Sequence, residues 1–580
     1  MENPFKKAFN YLLLINLLFS GISNAQDFQW ATKISSSGTV NPRYFEVDND
    51  QNVYSAGIFI GSLTYDINGV DSTIITGYGV TNYIQKIDAL GDREWLYTLG
   101  GGNNVSLTAI TSDSENNLFA AGSFKDSIDF DPSDSSQILI PPFISTFIQK
   151  FDPDGNLVWV KQMDQLGSPF SYQGDRIVDI KTDSENNIII LGTLVGTVDM
   201  DPGEDTLLLY NHIPTGFVQK LNPDGELLWA QEIIDTSHFY ARELEIDEQD
   251  NLYIRAEYTF HYDYNLYDST ITIPGESHLL LKMDPNGTML WANGWERDEI
   301  NAKQLEIHDV NNIYLGGLYK RSTDFDPSEN VYEMGHALDT ILSNEDMIFL
   351  LKLNAQGEFQ WAIDYGANGI IPSYNNKLIE LDIDPYGNIY TFNVSDGFVN
   401  FDPSNDTVNN GEDPWNKTTY INILDSDGSY LSTILYPESA RGNTMTVDHM
   451  SHIYTIGEII GEIDLDFGPS EFVLYNTDYK SVFTHKMGNI GELSIHENST
   501  PINTKLYPNP SHNYIHILFE KASSGTLHLI DIKGQIISSV DLNDSELAYQ
   551  FDISSFPSGI YFVELIRKGE KIDSKKFIKR

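Results

Sequence analysis

The sequence predicts an all-β protein, a body of seven repeated four-stranded units followed by a small β-sandwich. Three observations predict it. A seven-residue motif ending in an aromatic or aliphatic residue recurs seven times, a second motif ending in tryptophan recurs beside it, and the last 80 residues abandon both patterns. Those last residues, from Pro501, carry 9 acidic and 10 basic side chains, whereas the whole chain has 84 acidic against 35 basic, so the negative charge belongs to the repeated body.

The first motif is Asp-x-x-x-Asn-x-(Tyr/Phe). It reads DNDQNVY from Asp48, DSENNLF from Asp113, DSENNII from Asp183, DEQDNLY from Asp247, HDVNNIY from His308, DPYGNIY from Asp384 and DHMSHIY from Asp448. The second is Lys-x-(Asp/Asn)-x-x-Gly-x-x-x-Trp, ending at Trp95, Trp159, Trp229, Trp291 and Trp361, with two weaker copies in which Ser432 and Ile495 stand in the tryptophan place. Each has alternating apolar residues on both sides of an Asp, Asn or Gly turn, which is the pattern of a β-hairpin. Two hairpins per unit make four strands, and a radial array of such sheets leaves few exposed edges. The body, residues 26–495, therefore reads as a seven-bladed β-propeller; a six- or eight-bladed count follows if a terminal copy is miscounted. A linear stack fits less well, because nothing resembles a polar capping repeat. Trp30 stands alone at the start without a Lys strand before it, while Ser481–Met487 is a Lys strand left over at the end. These two strands are expected to meet in one blade.

Bulk composition narrows the function. The net charge of −49 repels phosphate backbones and anionic lipid alike, so nucleic acid is not expected as a partner. The chain has no cysteine, which removes disulfides, thiolate metal sites and cysteine nucleophiles. Residues 1–25 have the form of a secretory signal: Lys6 and Lys7, then YLLLINLLF, then SNA, with a cut between Ala25 and Gln26. No later stretch is long and apolar enough to be a spanning helix.

The DPYGNIY and NNIYLGG stretches resemble the repeat core of SBBP-type β-propeller proteins, which are exported bacterial proteins. In residues 496–580, after a linker, LYPNP at Leu506 to Pro510, the IDIKGQII turn, DISSFPSGIYFVEL and the KKFIKR end occur in order. Together they resemble the C-terminal sorting domain of the type IX secretion system of Bacteroidetes. Carried over, Pro508, Asn509 and Pro510 are the opening motif of that domain, and Gly559 with Tyr561 its hairpin motif. The resemblance implies passage through the inner membrane, handling of the tail by the type IX machinery, removal of the tail, and attachment of the body to surface lipopolysaccharide.

The candidate chemistry lies in Asp-x-Asp-Pro segments: Asp129/Asp131, Asp199/Asp201 followed by Asp205, Asp324/Asp326, the Asn400 variant, and Asp464/Asp466 in DLDFGP. Residues i and i+2 of a strand share a face, so each segment is expected to set two carboxylates side by side, and calcium is the cation that such oxygens would take. The competing reading is a strand end whose second Asp caps a turn before proline. The repeated tryptophans read as packing between blades rather than as a sugar-stacking set. Aromatics outside the repeats, Phe260, Tyr262, Tyr264 and Trp415, are ligand candidates. No HExxH, nucleophile elbow or phosphate loop occurs, so no catalytic residue is named. His449 and His452 read as solvent-facing turn residues. DSI, DTL and DTV triplets resemble the O-glycosylation acceptors of exported Bacteroidetes proteins, or are plain turns. The expectation is a secreted or cell-surface, non-catalytic propeller binding an extracellular glycan or protein. The alternatives are a polysaccharide lyase or glycoside hydrolase on the same scaffold, and a structural surface spacer.

Overall fold

A computed structural model describes most of residues 28–488 and 504–579; among the segments outside the description are 1–27, 165–175, 260–263, 336–346, 368–375, 405–416 and 508–513. Every regular element among the described residues is a strand, and the chain divides into two compact units, residues 1–492 and 493–580.

In the first unit the repeats fold into antiparallel four-stranded sheets. The first sheet orders Thr39–Val47, Val53–Ile60, Thr81–Ile87 and Arg93–Leu99; the second orders Val105–Ser112, Leu118–Phe124, Ser145–Phe151 and Leu157–Met163. The third to sixth repeat that order from Arg176, His238, Ile300 and Lys377, the fifth gaining Val399–Asn400 as a fifth strand at its outer edge. The seventh is built from both ends of the body: Ala440–Val447, Ile453–Ile459 and Lys480–Met487 are completed by Phe28–Ser36. The leftover Lys strand and the lone Trp strand do pair, from Phe28↔Met487 to Ser36↔Lys480. Residues 34–36 also pair with Leu63–Tyr65, a hairpin that follows the second strand of the first sheet.

Each repeated residue has a physical task. In DSENNLF, Asp113 Oδ1 accepts the backbone N–H groups of Glu115 and Asn117, and the Asn117 amide returns to the same carboxylate at 2.8 Å. This is an Asx turn, which closes the hairpin together with the backbone bonds from Asp113 N–H to the Asn117 carbonyl and from Asn116 N–H to the Asp113 carbonyl. In three of the copies that end in tyrosine the hydroxyl also donates to the Asp: Tyr253 to Asp247, Tyr390 to Asp384 and Tyr454 to Asp448. His452 takes the place of the motif's Asn, its Nδ1 lying 2.9 Å from Asp448 Oδ2. It is half-buried, contrary to the expectation of a solvent-facing residue.

The second motif joins neighbouring sheets. Gly155 has φ 85°, and a Cβ there would lie 2.9 Å from the ring of Trp95 in the preceding sheet. Glycine is therefore required twice, by conformation and by contact. Trp159 repeats this against Gly225, Trp291 against Gly357, and Trp30 against Gly91, with indole N–H groups donating to Pro223, Ala355 and Ala89 carbonyls. The tryptophans pack between sheets as the repeat pattern implies. The ammonium groups of Lys150 and Lys282 lie over the Phe119 and Tyr253 rings, 5.1 and 4.6 Å from their centroids, and 3.4 and 3.5 Å from the turn residues Asp113 and Asp247.

Apolar clusters fill the spaces between successive sheets. Phe119, Ile148 and Met163 pack with Ile177, Ile190 and Phe217 between the second and third. Between the seventh and first, Ile34, Ile456 and Val482 pack with Val40, Phe59 and Tyr83, and Trp30 and Tyr454 pack with Val53 and Ile87. Strand directions alternate, so both repeated turns lie at one end of each sheet and the connection between second and third strands at the other.

The second unit holds two sheets, Thr504–Tyr507, Tyr514–Phe519 and Ala548–Asp552 in one, and Ile536–Leu542, Gly525–Asp531, Gly559–Arg567 and Glu570–Lys579 in the other. Ile515, Ile517, Leu527, Leu529, Phe551 and Val563 are buried in its core.

Candidate functional site

Two regions of the body gather chemistry. The first lies between the first strands of the sheets. These strands touch in succession, Thr39–Val47 against Val105–Ser112, that against Arg176–Thr182, and so on until Ala440–Val447 meets Thr39–Val47. Each has a β-bulge at the same register, between Pro42 and Tyr44 in the first and between Gly442 and Thr444 in the last. The bulge changes which side chains share a face.

From these strands come seven carboxyl groups, Glu46, Asp179, Glu243, Glu245, Glu306, Glu380 and Asp382, all half-buried, together with Lys181. Several bridge to the next sheet. Glu46 accepts from the Ser112 hydroxyl at 2.9 Å, and Asp179 Oδ2 accepts the Leu244 N–H at 2.9 Å. Glu380 accepts from Thr444 at 2.8 Å, and Asp382 from Thr446 and the Val447 N–H, each at 2.7 Å. Lys181 Nζ lies 2.6 Å from Glu245 Oε1, and Glu243 holds Arg255 at 2.7 Å.

Burial moves every one of these acids above its ordinary value. Glu380 is pushed up to about 8, first by desolvation and then by Glu243 and Asp382, against the Thr444 hydrogen bond. Glu245 is pushed up to about 8 by desolvation, which outweighs the opposing effect of Lys181. Glu306 stands well above the carboxylate range through desolvation and the neighbouring Glu245 and Asp382. Desolvation also works against the Lys181 ammonium, yet Glu245, Asp179 and Glu306 hold it well above the ordinary lysine value. Burial thus favours the protonated form of these acids, and the region contains one lysine among many acids.

The second region is the opposite end of the sheets, where the Asp-x-Asp-Pro segments form short hairpins. The strand ends at the first Asp, as in Ile128–Asp129 and Thr323–Asp324. The expected same-face pair therefore does not form, because the second carboxylate already lies in the turn. Asp129 Oδ1 accepts the N–H groups of Asp131 and Gln137, and Asp199, Asp324 and Asp464 accept from the residues two and eight further on in the same way. Asp131, Asp201 and Asp326 each accept the N–H two residues later. Asp466 is half-buried in the same kind of turn, and Asp205 is exposed. Between the carboxylates, Phe130, Met200, Phe325 and Leu465 are buried and anchor the hairpin. Among the described residues no three acidic or histidine side chains come together as a metal site. Stripping calcium with chelator is expected to leave the melting temperature within about 1 °C, whereas Asp324→Ala, which removes a two-donor clamp, is expected to cost about 1–2 kcal/mol in a urea titration.

His485 was singled out by no motif. It is buried on the closing Lys strand between the rings of Phe28 and Phe467, and neither nitrogen has a hydrogen-bond partner among the described residues. Desolvation lowers its pKa to about 3. A histidine depressed in this way contributes stability above its unfolded value, near 6.5, which is lost as pH falls toward 3. In the same repeat position, Gln219 and Asn422 donate to the Met200 and Phe401 carbonyls. His485→Gln is therefore expected to flatten the acid side of the melting curve between pH 6.5 and 4.

Of the remaining sequence candidates, Ala25, Gln26, Phe260, Tyr262, Trp415 and Pro508 to Pro510 lie outside the described residues, and Tyr264 is described only as backbone of the short strand Tyr264–Leu266. Gly559 opens the third strand of its sheet, and the Tyr561 hydroxyl donates to the Pro557 carbonyl at 3.0 Å, fixing the hairpin. The acidic cluster was missed. Its signal was a charged residue two places before the turn Asp of several units, Glu46, Lys181, Glu245 and Asp382, inside otherwise apolar strands.

Residues 505–580 match a family model described as a secretion system C-terminal sorting domain. The tail thus directs export by type IX secretion to the cell surface or extracellular space, as in Bacteroidetes. Among the described residues no helix is long and apolar enough to cross a membrane. A curated relative, an uncharacterized WD repeat-containing protein of Acanthamoeba polyphaga mimivirus, is 23% identical over 193 residues, taking in 28% of this chain and only 13% of its own length. Among solved structures, hydrazine synthase of Kuenenia stuttgartiensis aligns at 9% identity over 79% of this chain and 98% of its own, with a TM-score of 0.37. An ulvan polysaccharide lyase aligns at 11% identity over 72% and 91%, with a TM-score of 0.35. The extracellular domain of a putative one component system from B. thetaiotaomicron aligns at 10% over 96% and 99%, with a TM-score of 0.19.

Proposed function

We propose that the body, residues 26–495, is a seven-bladed β-propeller of the SBBP-type repeat class that binds an extracellular glycan or protein without transforming it. On this reading residues 1–25 are a signal cleaved between Ala25 and Gln26. Residues 496–580 carry the sorting tail, whose removal leaves the body attached to surface lipopolysaccharide or released. The cyclic order of contacts among first strands supports the propeller. The observation that carries the binding function is the concentration of exposed apolar and aromatic side chains at the hairpin end. Ile138 and Ile140 come from the second sheet's hairpin, Leu208 and Tyr210 from the third, Val331 and Tyr332 from the fifth, and Tyr475 and Tyr479 from the seventh. Exposed tyrosines give a rigid, amphipathic contact surface at low entropic cost.

Binding of the tail-less body to a glycan panel and to envelope fractions tests this. Combined Tyr210→Ala, Tyr475→Ala and Tyr479→Ala is expected to weaken binding at least tenfold with the melting temperature kept. A second reading, a polysaccharide lyase or hydrolase, draws support from Glu380, whose carboxyl burial pushes up to about 8, into the range a general acid needs. Turnover of a bound glycan selects that reading, and neither binding nor turnover selects a structural spacer.

A further inference from the structure

The carboxyl groups between the first strands are more numerous than their position allows to ionise together. Among the described residues, the bases in ion pairs with these seven acids are Lys181 and Arg255. Arg255 is committed, with Nε on Glu243 and Nη1 donating to the Ala302 carbonyl at 3.0 Å. That leaves Glu46, Asp179, Glu245, Glu306, Glu380 and Asp382 around Lys181, which makes its one close ion pair with Glu245. The groups come from separate elements: Glu46 from the first sheet, Asp179 and Lys181 from the third, Glu243 and Glu245 from the fourth, Glu306 from the fifth, Glu380 and Asp382 from the sixth. From the second and seventh sheets come hydroxyl donors to these acids, Ser112, Thr444 and Thr446. Like charges held at close quarters with little water cannot all be ionised, so some protons must remain.

We propose that this cluster is a proton-loaded fastening of the body: while protonated its carboxyls let the first strands of neighbouring sheets pack, and alkaline conditions ionise them and loosen the sheets. The inference rests on the packing of the first strands and is independent of the binding function. The cross-sheet bonds of Glu46, Asp179, Glu380 and Asp382 show that the groups sit at the seams, so repulsion among them acts on the junctions themselves. Lys181 neutralises one charge, and the remaining excess is relieved by protons.

The sign follows from linkage. An acid bound to its proton more tightly in the folded chain contributes stability that is complete below its unfolded value, 4.5 for glutamate, and is lost as pH climbs to about 8 for Glu380. His485 acts in the opposite direction and only below 6.5, so the range from pH 6.5 to 9.5 excludes it, and the glutamine variants separate the cluster from the lowered Lys352 and Lys486.

The test is a thermal melt of the secreted full chain across that range. The wild type is expected to lose roughly 5–10 °C from pH 6.5 to 9.5, and Glu306→Gln with Glu380→Gln to lose less than half as much. Glu115→Gln, an exposed turn residue, is the control expected to keep the wild-type slope. If the double variant does not fold, Glu380→Gln alone is measured, together with amide exchange of the first strands, whose corrected protection in the wild type is expected to fall at least tenfold at pH 9. A wild-type melting temperature that is flat or rises over this range overturns the proposal. So does a glutamine variant that folds and retains the full slope.

Discussion

Trp30→Ala is expected to lower the stability of the body by about 3–4 kcal/mol, and a chain that begins after Ser36 is expected not to fold cooperatively. Trp30 is buried in the strand contributed by the N-terminus. Its ring stands over Gly91, packs with Val53, Ile87 and Tyr454, and donates its N–H to Ala89 at 3.0 Å. The substitution therefore removes one large side chain shared by the seventh and first sheets. Losing the whole strand exposes the edge of Lys480–Met487 along eight paired residues and removes the partner of Leu63–Tyr65. An unpaired edge of that length also invites aggregation. Urea unfolding followed by tryptophan fluorescence measures the first effect; size-exclusion chromatography of the truncated chain measures the second. Trp159→Ala makes the informative comparison, since it touches one seam between sheets adjacent in sequence and is expected to cost less.

Lys181→Met is the second large effect. Removing the lone lysine of the cluster leaves Glu245 without its ion-pair partner and the acids around it without their nearest cation. Breaking a fully buried pair costs about 3–5 kcal/mol. Lys181 keeps 34% of its side-chain surface exposed, so solvent screening reduces the expectation to about 1–3 kcal/mol at pH 8. At pH 5 the acids take up protons in place of the lost charge, and the cost is expected to fall below about 1 kcal/mol. Urea titrations at the two pH values separate this electrostatic role from simple loss of packing, which would be the same at both. Lys181→Arg is expected to keep the charge and most of the stability.

What could be read from the chain in advance was local. Asp113 with Asn117, and Gly155 with Asp152, whose carbonyl accepts the glycine N–H, act through residues a few positions apart, so their spacing announced the hairpins. The pairing of Phe28–Ser36 with Lys480–Met487 was also legible, because each end of the body lacked a strand that the other had in excess. The acidic cluster was not. Glu46, Glu306 and Asp382 are hundreds of residues apart in part, and in a chain with 84 acidic residues no local pattern distinguishes those that meet. Only the order of the sheets brings them together. The Asp-x-Asp-Pro segments left two readings open, same-face carboxylates or a capped turn, and their hydrogen bonds are those of the turn. The same-face argument assumes a strand running through both carboxylates, but the first Asp captures two backbone N–H groups and ends the strand there. The following proline has no N–H to continue a ladder.

The most direct test of the account is whether the first strand fastens the last sheet. Ser35 and Ser481 face each other across that pairing with their hydroxyl oxygens 2.7 Å apart, and the natural chain contains no cysteine. Replacing both, Ser35→Cys with Ser481→Cys, gives two thiols whose only intrachain partner is each other. Under mild oxidation the account predicts a near-quantitative intrachain disulfide by mass spectrometry, and a body stabilised by about 2–4 kcal/mol relative to its reduced form. Free thiols after oxidation, or crosslinks formed only between chains, would contradict it.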